Sequence, residues 1–577
     1  MSKITDANVY DMIIVGSGNG ACGFLSKYLD KDDLSSKILV LEAGKAFFDT
    51  SDITHQNNWA KSYAEGKILQ LHNAQTADDI PIISGWACTM GGGGSINYAM
   101  MYESSHWLSR HIGKDVAYWD KLKDELGAKL NCIDCIDPEK QNTELTQQIL
   151  RTAALEGFNP PNPHHYSRGI PSYQDFPHDT SNQLYLFATP FNRFGQRTHS
   201  GVSLIDWFDK RIELKTQCQV TQLEFEENKT GESRCEAVHV KYTGKTKANS
   251  ATKFLLSETG RVILCAGAAT PRLLISHRTK LNNYEIGKDA SDHIAIPLGI
   301  YRLKKKLHVT PEAVVEQEIP LTSKDNYMPV FATTVWQAEQ DNGSENRIVC
   351  TIEFFAGNFE RLWYFVSHLY LAFLLLNCIK RWMIQSPRLF DALKRIRLTI
   401  EKSNTIFNLG EETELITAII KFNPAEEGEY LSDNNRINLN FFKTSDRDTS
   451  SNQDKEVAKK VIAERVLPLM DRLGDKPPWL IRLVLRVMRI PFEENQINTY
   501  LKCYSKNYLL SQQHMAGGCL FGKAIDKGLD APQATGKVKG TNNVYVADLS
   551  ASPLPRISPQ MTAYLIGFHV ATQLSET

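Results

Sequence analysis

The run from Asp11 to Gly23, Asp-Met-Ile-Ile-Val-Gly-Ser-Gly-Asn-Gly-Ala-Cys-Gly, has the residue types that hold a pyrophosphate. Gly16 permits a tight turn after the apolar run, Gly18 lets backbone approach a phosphate, and the small Ala21 lets a helix pack on the strand. The N-terminus of that helix would then face the phosphate charge. Gly18, Gly20 and Gly23 offer a second register, but Gly16 directly after the apolar run fits better. A second apolar run, Lys37-Ile-Leu-Val-Leu-Glu42, ends in a carboxylate at the separation expected of a group that accepts ribose hydroxyls. A solvated strand-end charge is the plainer reading of Glu42 alone. Glycine loop and acid together predict a strand-helix-strand dinucleotide site.

Further along, Gly91, Gly92, Gly93 and Gly94 follow Trp86 and Thr89 and lead into Ser95, Ile96 and Asn97. A flexible linker would be longer and less apolar at its borders, so this loop reads as backbone packed against a flat ring or a phosphate. Two more apolar runs end in small residues: Val262 to Pro271, and Asn543 through Ala547 to Asp548. Each resembles a strand of a doubly wound sheet that delivers backbone to a cofactor at its C-terminal end. The elements that position this chemistry are therefore far apart in sequence, and the nucleotide domain is expected to be assembled from separated pieces.

Composition bounds the rest. The chain has 577 residues, 42% hydrophobic and 23% charged, so it can bury a large core. Lys+Arg 65 against Asp+Glu 66 leaves a net charge of -1, which disfavours a nucleic-acid partner. Eleven scattered cysteines do not form a secreted disulfide framework. The single Cys132-x-x-Cys135 lacks the second pair a zinc site needs and reads as structural, and no metal is expected. Met1 to Tyr10 lacks the pattern of a signal peptide, so an intracellular location is expected, cytoplasmic or on the periphery of a membrane.

From residue 301 to 504 no glycine-rich turn-helix unit occurs, and this stretch is the expected substrate domain, with residues 8–300 and 505–577 forming the nucleotide domain. It holds alternating strand-like runs, Val330 to Trp336 and Arg436 to Phe442. Leu362 to Ile379 is apolar nearly all round, yet a mid-chain membrane span would split the fold and is rejected. Trp479 to Ile490 sets Arg482, Arg486 and Arg489 opposite Leu, Ile and Val. Two readings stand for these helices: a core helix with a snorkelling surface helix, or contact with a membrane surface or another subunit.

Taken in order, these residues resemble the glucose-methanol-choline (GMC) family of FAD-dependent oxidoreductases. The resemblance covers nearly the whole chain: Gly16, Gly18 and Ala21 with Glu42; the loop from Gly91 to Asn97; Gly267 to Pro271; Gly287-Lys-Asp-Ala-Ser-Asp-His293; His514-Met-Ala-Gly-Gly-Cys519 with Gly522; and Ala547-Asp548 followed by Ser558-Pro-Gln-Met-Thr562. It implies an α/β fold, with a discontinuous Rossmann-type FAD-binding domain and an α+β substrate domain built on an antiparallel sheet. It also implies that the first loop carries the pyrophosphate, that Glu42 takes the adenosine ribose and that the Gly91–Asn97 loop lies against the flavin. Asp548 would help hold the ribityl-pyrophosphate portion, Thr562 would lie at the cofactor, and Val220 resembles the residue whose backbone meets the adenine. Some family members link FAD through a histidine directly before the asparagine; here Ile96 stands there, so FAD is expected to be noncovalent.

Alcohol oxidation needs a group that removes the hydroxyl proton while the carbon-bound hydrogen leaves as hydride. The resemblance puts His514 on the flavin's substrate face, and imidazole suits that task near neutral pH. The family's second histidine or asparagine before a proline falls on Ser558, which can hydrogen-bond but is no comparable base; an alignment moved by two puts Gln560 there. The expected reaction is oxidation of an alcohol, of apolar character, to an aldehyde or ketone, with oxygen, a quinone or a cytochrome as electron acceptor. The alternatives are a hydroxynitrile-lyase-like reaction that keeps FAD without cycling it, or a flavoprotein whose site has decayed.

Overall fold

In the computed structural model the described residues are 9–30, 35–46, 69–71, 73–82, 84–96, 105–130, 151–159, 166–167, 170–171, 183–185, 204–227, 231–243, 251–304, 330–338, 346–358, 414–432, 436–442, 453–477, 482–483, 485–486, 489–507, 509–526, 534–555 and 558–576. Cys132, Cys135, Asn97 and the apolar stretch from Leu362 to Ile379 lie outside them.

The first apolar run forms strand β1 (Val9–Val15), which leads through the glycine turn into helix α1 (Asn19–Tyr28) and on to β2 (Ile38–Leu41). Every residue of β2 is buried, as expected of a parallel strand covered on both faces. β3 (Ile212–Lys215), β4 (Cys218–Glu227), β5 (Ser233–Tyr242), β6 (Ala251–Leu264) and β11 (Val544–Val546) complete a seven-stranded sheet in the order β3-β2-β1-β6-β5-β4, with β11 also on β6. β3, β2, β1, β6 and β11 run parallel, whereas β5 and β4 fold back antiparallel. The C-terminal half of the long β6 thus sits between β1 and β11, so residues 15, 264 and 546 end side by side.

β7 (Ile294–Leu303), β8 (Val330–Ala338), β9 (Asn346–Asn358) and β10 (Glu414–Phe422) form the second large sheet. Gly474–Asp475 and Gln183–Tyr185 border it, and all its pairings are antiparallel. β7 runs across the boundary expected at residue 300, and Gln183–Tyr185 comes from far before it, so this sheet draws on both sides of that boundary. Arg436–Asn438 is also placed differently from expectation. It pairs parallel with Asn73–Gln75 in a separate five-stranded sheet that contains Lys288–Ala290, Gly428–Tyr430 and Pro81–Ile82. Alternation of residue type marks a strand but carries no information about its partner.

Helix α2 (Gln560–Glu576) is buried nearly all round and lies along α1. Glycines set the distance. A Cβ on Gly567 would stand 1.9 Å from the Gly20 carbonyl oxygen, and one on Gly23 would stand 2.1 Å from that of Tyr564. In the stretch expected to be amphipathic, Leu485 and Ile490 are buried while Leu483, Arg486 and Arg489 are exposed. Among the described residues no helix is long and apolar enough to cross a membrane.

Because backbone, not a movable side chain, meets the added methyl, Gly567→Ala is expected to lower unfolding stability by about 1–3 kcal/mol. Denaturant unfolding followed by circular dichroism checks this; an unchanged midpoint would mean that the helices separate at no cost.

Candidate active site

The β1–α1 turn is held by a buried carboxylate. Glu42, directly after β2, accepts from the Ser17 backbone N–H (3.0 Å) and the Ser17 hydroxyl (2.7 Å) on Oε2, and from the Gly44 N–H (2.7 Å) on Oε1. A carboxylate has about four acceptor positions, so one on Oε1 remains. Burial pushes its pKa up, against the pull of those hydrogen bonds. Gly16 has φ +94° and its Cβ position lies 2.6 Å from the Cys265 carbonyl oxygen, so turn and close approach both require glycine there.

The glycine quartet packs directly on this turn. The Gly91 N–H donates to the Ser17 hydroxyl (3.1 Å), and a Cβ on Gly92 would stand 2.8 Å from the Gly18 Cα. Gly92–Ser95 forms a single 3₁₀ turn, in which Gly93 meets nothing within 4 Å of its Cβ position and Gly94 faces the Asn19 side chain. Ala21 is buried in α1. Val220 lies two residues beyond Cys218, whose N–H donates to the Glu42 carbonyl (2.9 Å), so β4 starts beside the strand-end acid.

At the other end of the cradle, the Ala547 N–H donates to the Leu264 carbonyl (2.9 Å), tying β11 to β6. The Asp548 carboxylate is held by the protein itself. Its Oδ1 accepts from the Ser550 N–H (2.8 Å) and hydroxyl (2.6 Å), and its Oδ2 from the Gly267 N–H (2.8 Å) and Thr270 hydroxyl (2.5 Å). Four donors fill the carboxylate, so it clasps two turns of the protein together and has no acceptor position left for a ribityl hydroxyl.

The histidine site lies at the start of β7, where Ser291 bridges Ala516 and Ile294 bridges Ser511. His293, immediately before β7, and His514 approach Nδ1 to Nδ1 at 2.9 Å, with ring planes at 83°. His293 Nε2 lies 2.9 Å from the Pro555 carbonyl oxygen. Both histidines are anchored by Asp292, whose Oδ1 accepts from the His293 N–H and the His514 N–H, each at 2.8 Å, and whose Oδ2 accepts from the Ser84 hydroxyl (3.1 Å). Ser558 follows Pro555 by three residues, and both Ser558 and Gln560 are buried. Beside the rings, Lys421 of β10 and Glu353 of β9 form an ion pair at 2.5 Å, each 0% exposed. Gln512 reaches the other Glu353 oxygen (3.4 Å).

Burial, and secondarily the Lys421 charge, holds the His293 pKa well below the usual imidazole range. His514 is lowered for the same reason, with His293 and Lys421 adding to it, although it keeps some exposure to solvent while His293 has none. Burial raises Asp292 to about 7. The sequence singled out His514, Ser558 and Gln560 but assigned nothing to Asp292, His293, Glu353 or Lys421. For the first two, the Gly287 to His293 segment was a usable signal.

A model of the GMC oxidoreductase family matches residues 432–567. Over that stretch, the C-terminal part of the chain is similar to GMC oxidoreductases. No curated protein matches the chain. Among solved structures, the chain is similar to a variant of formate oxidase from Aspergillus oryzae RIB40, with TM-score 0.64 and 15% identity over 99% of each chain. It is also similar to pyridoxine 4-oxidase from Mesorbium loti, with TM-score 0.57 and 15% identity over 98% of this chain and 99% of that one. An FAD-dependent oxidoreductase from Chaetomium thermophilum gives TM-score 0.59 and 14% identity over 98% and 99%. At such identities these likenesses show the fold.

FAD is the cofactor that the resemblance implies, and the residues present fit it. α1 begins with neither a side-chain cap nor an acid in its first turn, leaving its N–H groups and positive end for phosphate. The buried Asn19 Oδ1 at that end and the buried Thr562 hydroxyl in the first turn of α2 have no hydrogen-bond partner among the described residues. Buried polar atoms of this kind are normally satisfied, and polar groups of a bound nucleotide would do so.

Asp292 gives a pH prediction. Its folded pKa of about 7 exceeds the ordinary carboxylate value near 3.9, so the folded state binds the proton more tightly than the unfolded one. This group's contribution is fully present below about pH 4 and is lost as pH rises through 7. Melting temperatures of the wild type and Asp292→Asn across pH 4–8 should shift progressively in the variant's favour over that window. A difference flat in pH would show that Asp292 titrates normally.

Proposed function

We propose that this chain is a GMC oxidoreductase that binds FAD and oxidises an alcohol to an aldehyde or ketone, with His514 as the acid/base. One observation carries the reading: a partly exposed histidine, kept uncharged by burial and held through its Nδ1 by a second buried histidine, is available as a base at neutral pH. FAD, when bound, supplies the acceptor for the hydride. His514 takes the hydroxyl proton of the alcohol. Ser558, in preference to Gln560, hydrogen-bonds the substrate oxygen, since a serine can orient but not deprotonate it.

In the same reading the seven-stranded sheet, with α1 and α2, is the discontinuous Rossmann-type FAD-binding domain, built from residues 8–300 and 505–577. The antiparallel sheet is the core of the substrate domain around residues 301–504, extended by β7 and Gln183–Tyr185. The first glycine loop and α1 carry the pyrophosphate, the remaining acceptor position of Glu42 takes a ribose hydroxyl, and Val220 lies toward the adenine. The quartet Gly91–Gly94, with Asn97, lies along the flavin, while Ala547 and Asp548 serve it through backbone and by clasping the surrounding turns. The apolar character of the alcohol and contact with a membrane surface rest on Leu362–Ile379 and on exposed Leu483 beside Arg486 and Arg489. Oxygen, a quinone or a cytochrome then takes the electrons.

FAD is proposed to bind noncovalently, because Ile96 stands where the linking histidine of some relatives stands. Acid precipitation should leave the yellow colour in solution; colour in the pellet would contradict this.

Anaerobic mixing with aliphatic, aromatic and sterol-like alcohols should bleach the flavin for at least one of them. His514→Ala should slow that bleaching by about 10²–10⁴-fold with FAD content unchanged. Ser558 in the partner position favours a second reading, a lyase on the same fold. Turnover of a cyanohydrin with no change in flavin absorbance would establish that reading and overturn oxidation.

A further inference from the structure

We infer that His293 is a positioning residue of this site: it fixes His514 in the tautomer protonated on Nδ1, so that Nε2 is the bare nitrogen offered to a substrate proton. This rests on the proposed role of His514 as acid/base and adds which nitrogen acts and what makes it act.

The assignment follows from what each partner can do. A proline carbonyl only accepts, so the 2.9 Å contact with Pro555 puts a proton on Nε2 of His293. An uncharged His293 then has a lone pair on Nδ1. The 2.9 Å contact between the two Nδ1 atoms needs one donor and one acceptor, so the proton in it belongs to His514. A neutral His514 protonated on Nδ1 has no proton on Nε2, and that nitrogen has no partner among the described residues.

The opposite arrangement needs His293 as an imidazolium donating from both nitrogens, and the surroundings oppose it. His293 is 0% exposed, the Lys421 charge disfavours a second cation, and the Glu353 carboxylate is already engaged by Lys421. Asp292, the carboxylate next in line, spends its oxygens on the two backbone N–H groups and on Ser84 rather than on either ring. Its single Oδ1 receives both backbones, so the rings start from one fixed point. Pro555 lies three residues before Ser558, so the proton chain begins on the segment that carries the second polar group of the site.

Two substitutions separate the two bonds of His293. His293→Gln keeps a donor at the Nε2 place, toward Pro555, and removes the acceptor facing His514; His293→Asn does the reverse. Ring-¹⁵N-histidine holoenzyme, read by long-range nitrogen-proton correlation, reports the tautomer directly. His514 is assigned by the signals lost in His514→Gln. The expected result near pH 7 is a proton on Nδ1 and none on Nε2 in the wild type and in His293→Asn, and a mixture of both tautomers in His293→Gln. With the alcohol that bleaches the wild-type flavin fastest, His293→Gln should lower the limiting rate in proportion to the fraction of His514 still protonated on Nδ1, about 2- to 10-fold, while the half-saturating concentration stays unchanged.

A wild-type His514 protonated on Nε2 overturns the inference, and so does a His293→Gln protein that keeps both the wild-type tautomer and the wild-type rate. If His293→Gln loses FAD, the wild-type spectrum alone decides. If no alcohol bleaches the wild type, the proposed oxidation fails while the tautomer measurement still stands.

Discussion

Three buried carboxylates act as joints on which the remaining geometry hangs. Glu42 holds the β1–α1 turn through Ser17, whose hydroxyl also receives the glycine quartet. Asp548 fastens the end of β6 to the end of β11. Asp292 receives the backbones of both histidines on one oxygen. In each case burial raises the proton affinity of the acid and backbone donors oppose the rise. Removing any one acid would strand several buried N–H groups, a loss of about 1–3 kcal/mol for each. The same low-dielectric setting that makes such joints costly makes them directional, because each donor has only one place to go.

The strand-turn-helix unit and the strand that ends at Glu42 were legible in the sequence because their signals are local. A strand, a glycine turn and a helix lie within 20 residues of one another, and the acid that closes the motif follows at the end of the next strand. The return of the chain through Asn543 to Asp548 was also readable, as a second apolar run ending in small residues. What escaped was pairing at long range. His293 and His514 are 221 positions apart, and Glu353 and Lys421 are 68 apart. No periodicity encodes such contacts. Asp548 shows a related limit: an acid in a recognised motif was expected to serve the ligand, whereas only the count of its donors shows that it is occupied by the protein.

The Lys421–Glu353 pair gives the substrate side its electrostatic character. A buried ion pair is weak evidence for stability, since desolvating two charges offsets most of their attraction. Its clearer effect is to leave the wall beside the histidines with no net charge, while each ion remains strongly oriented across β9 and β10. The Lys421 charge also disfavours a positive charge on either ring before reaction.

The placement of β11 bears on how the protein is made. β6 needs β11 on one side and β1 on the other, and α1 needs α2 to cover it. During synthesis from the N-terminus, β1, α1, β2 and β6 emerge long before residues 544–576 do. Until then one edge of β6 lacks its partner and the face of α1 that glycine keeps flat is uncovered, the kind of surface on which nascent chains aggregate. Assembly of the sheet is thus deferred until late translation, and for that interval the open edge of β6 is exposed to pairing with the wrong strand.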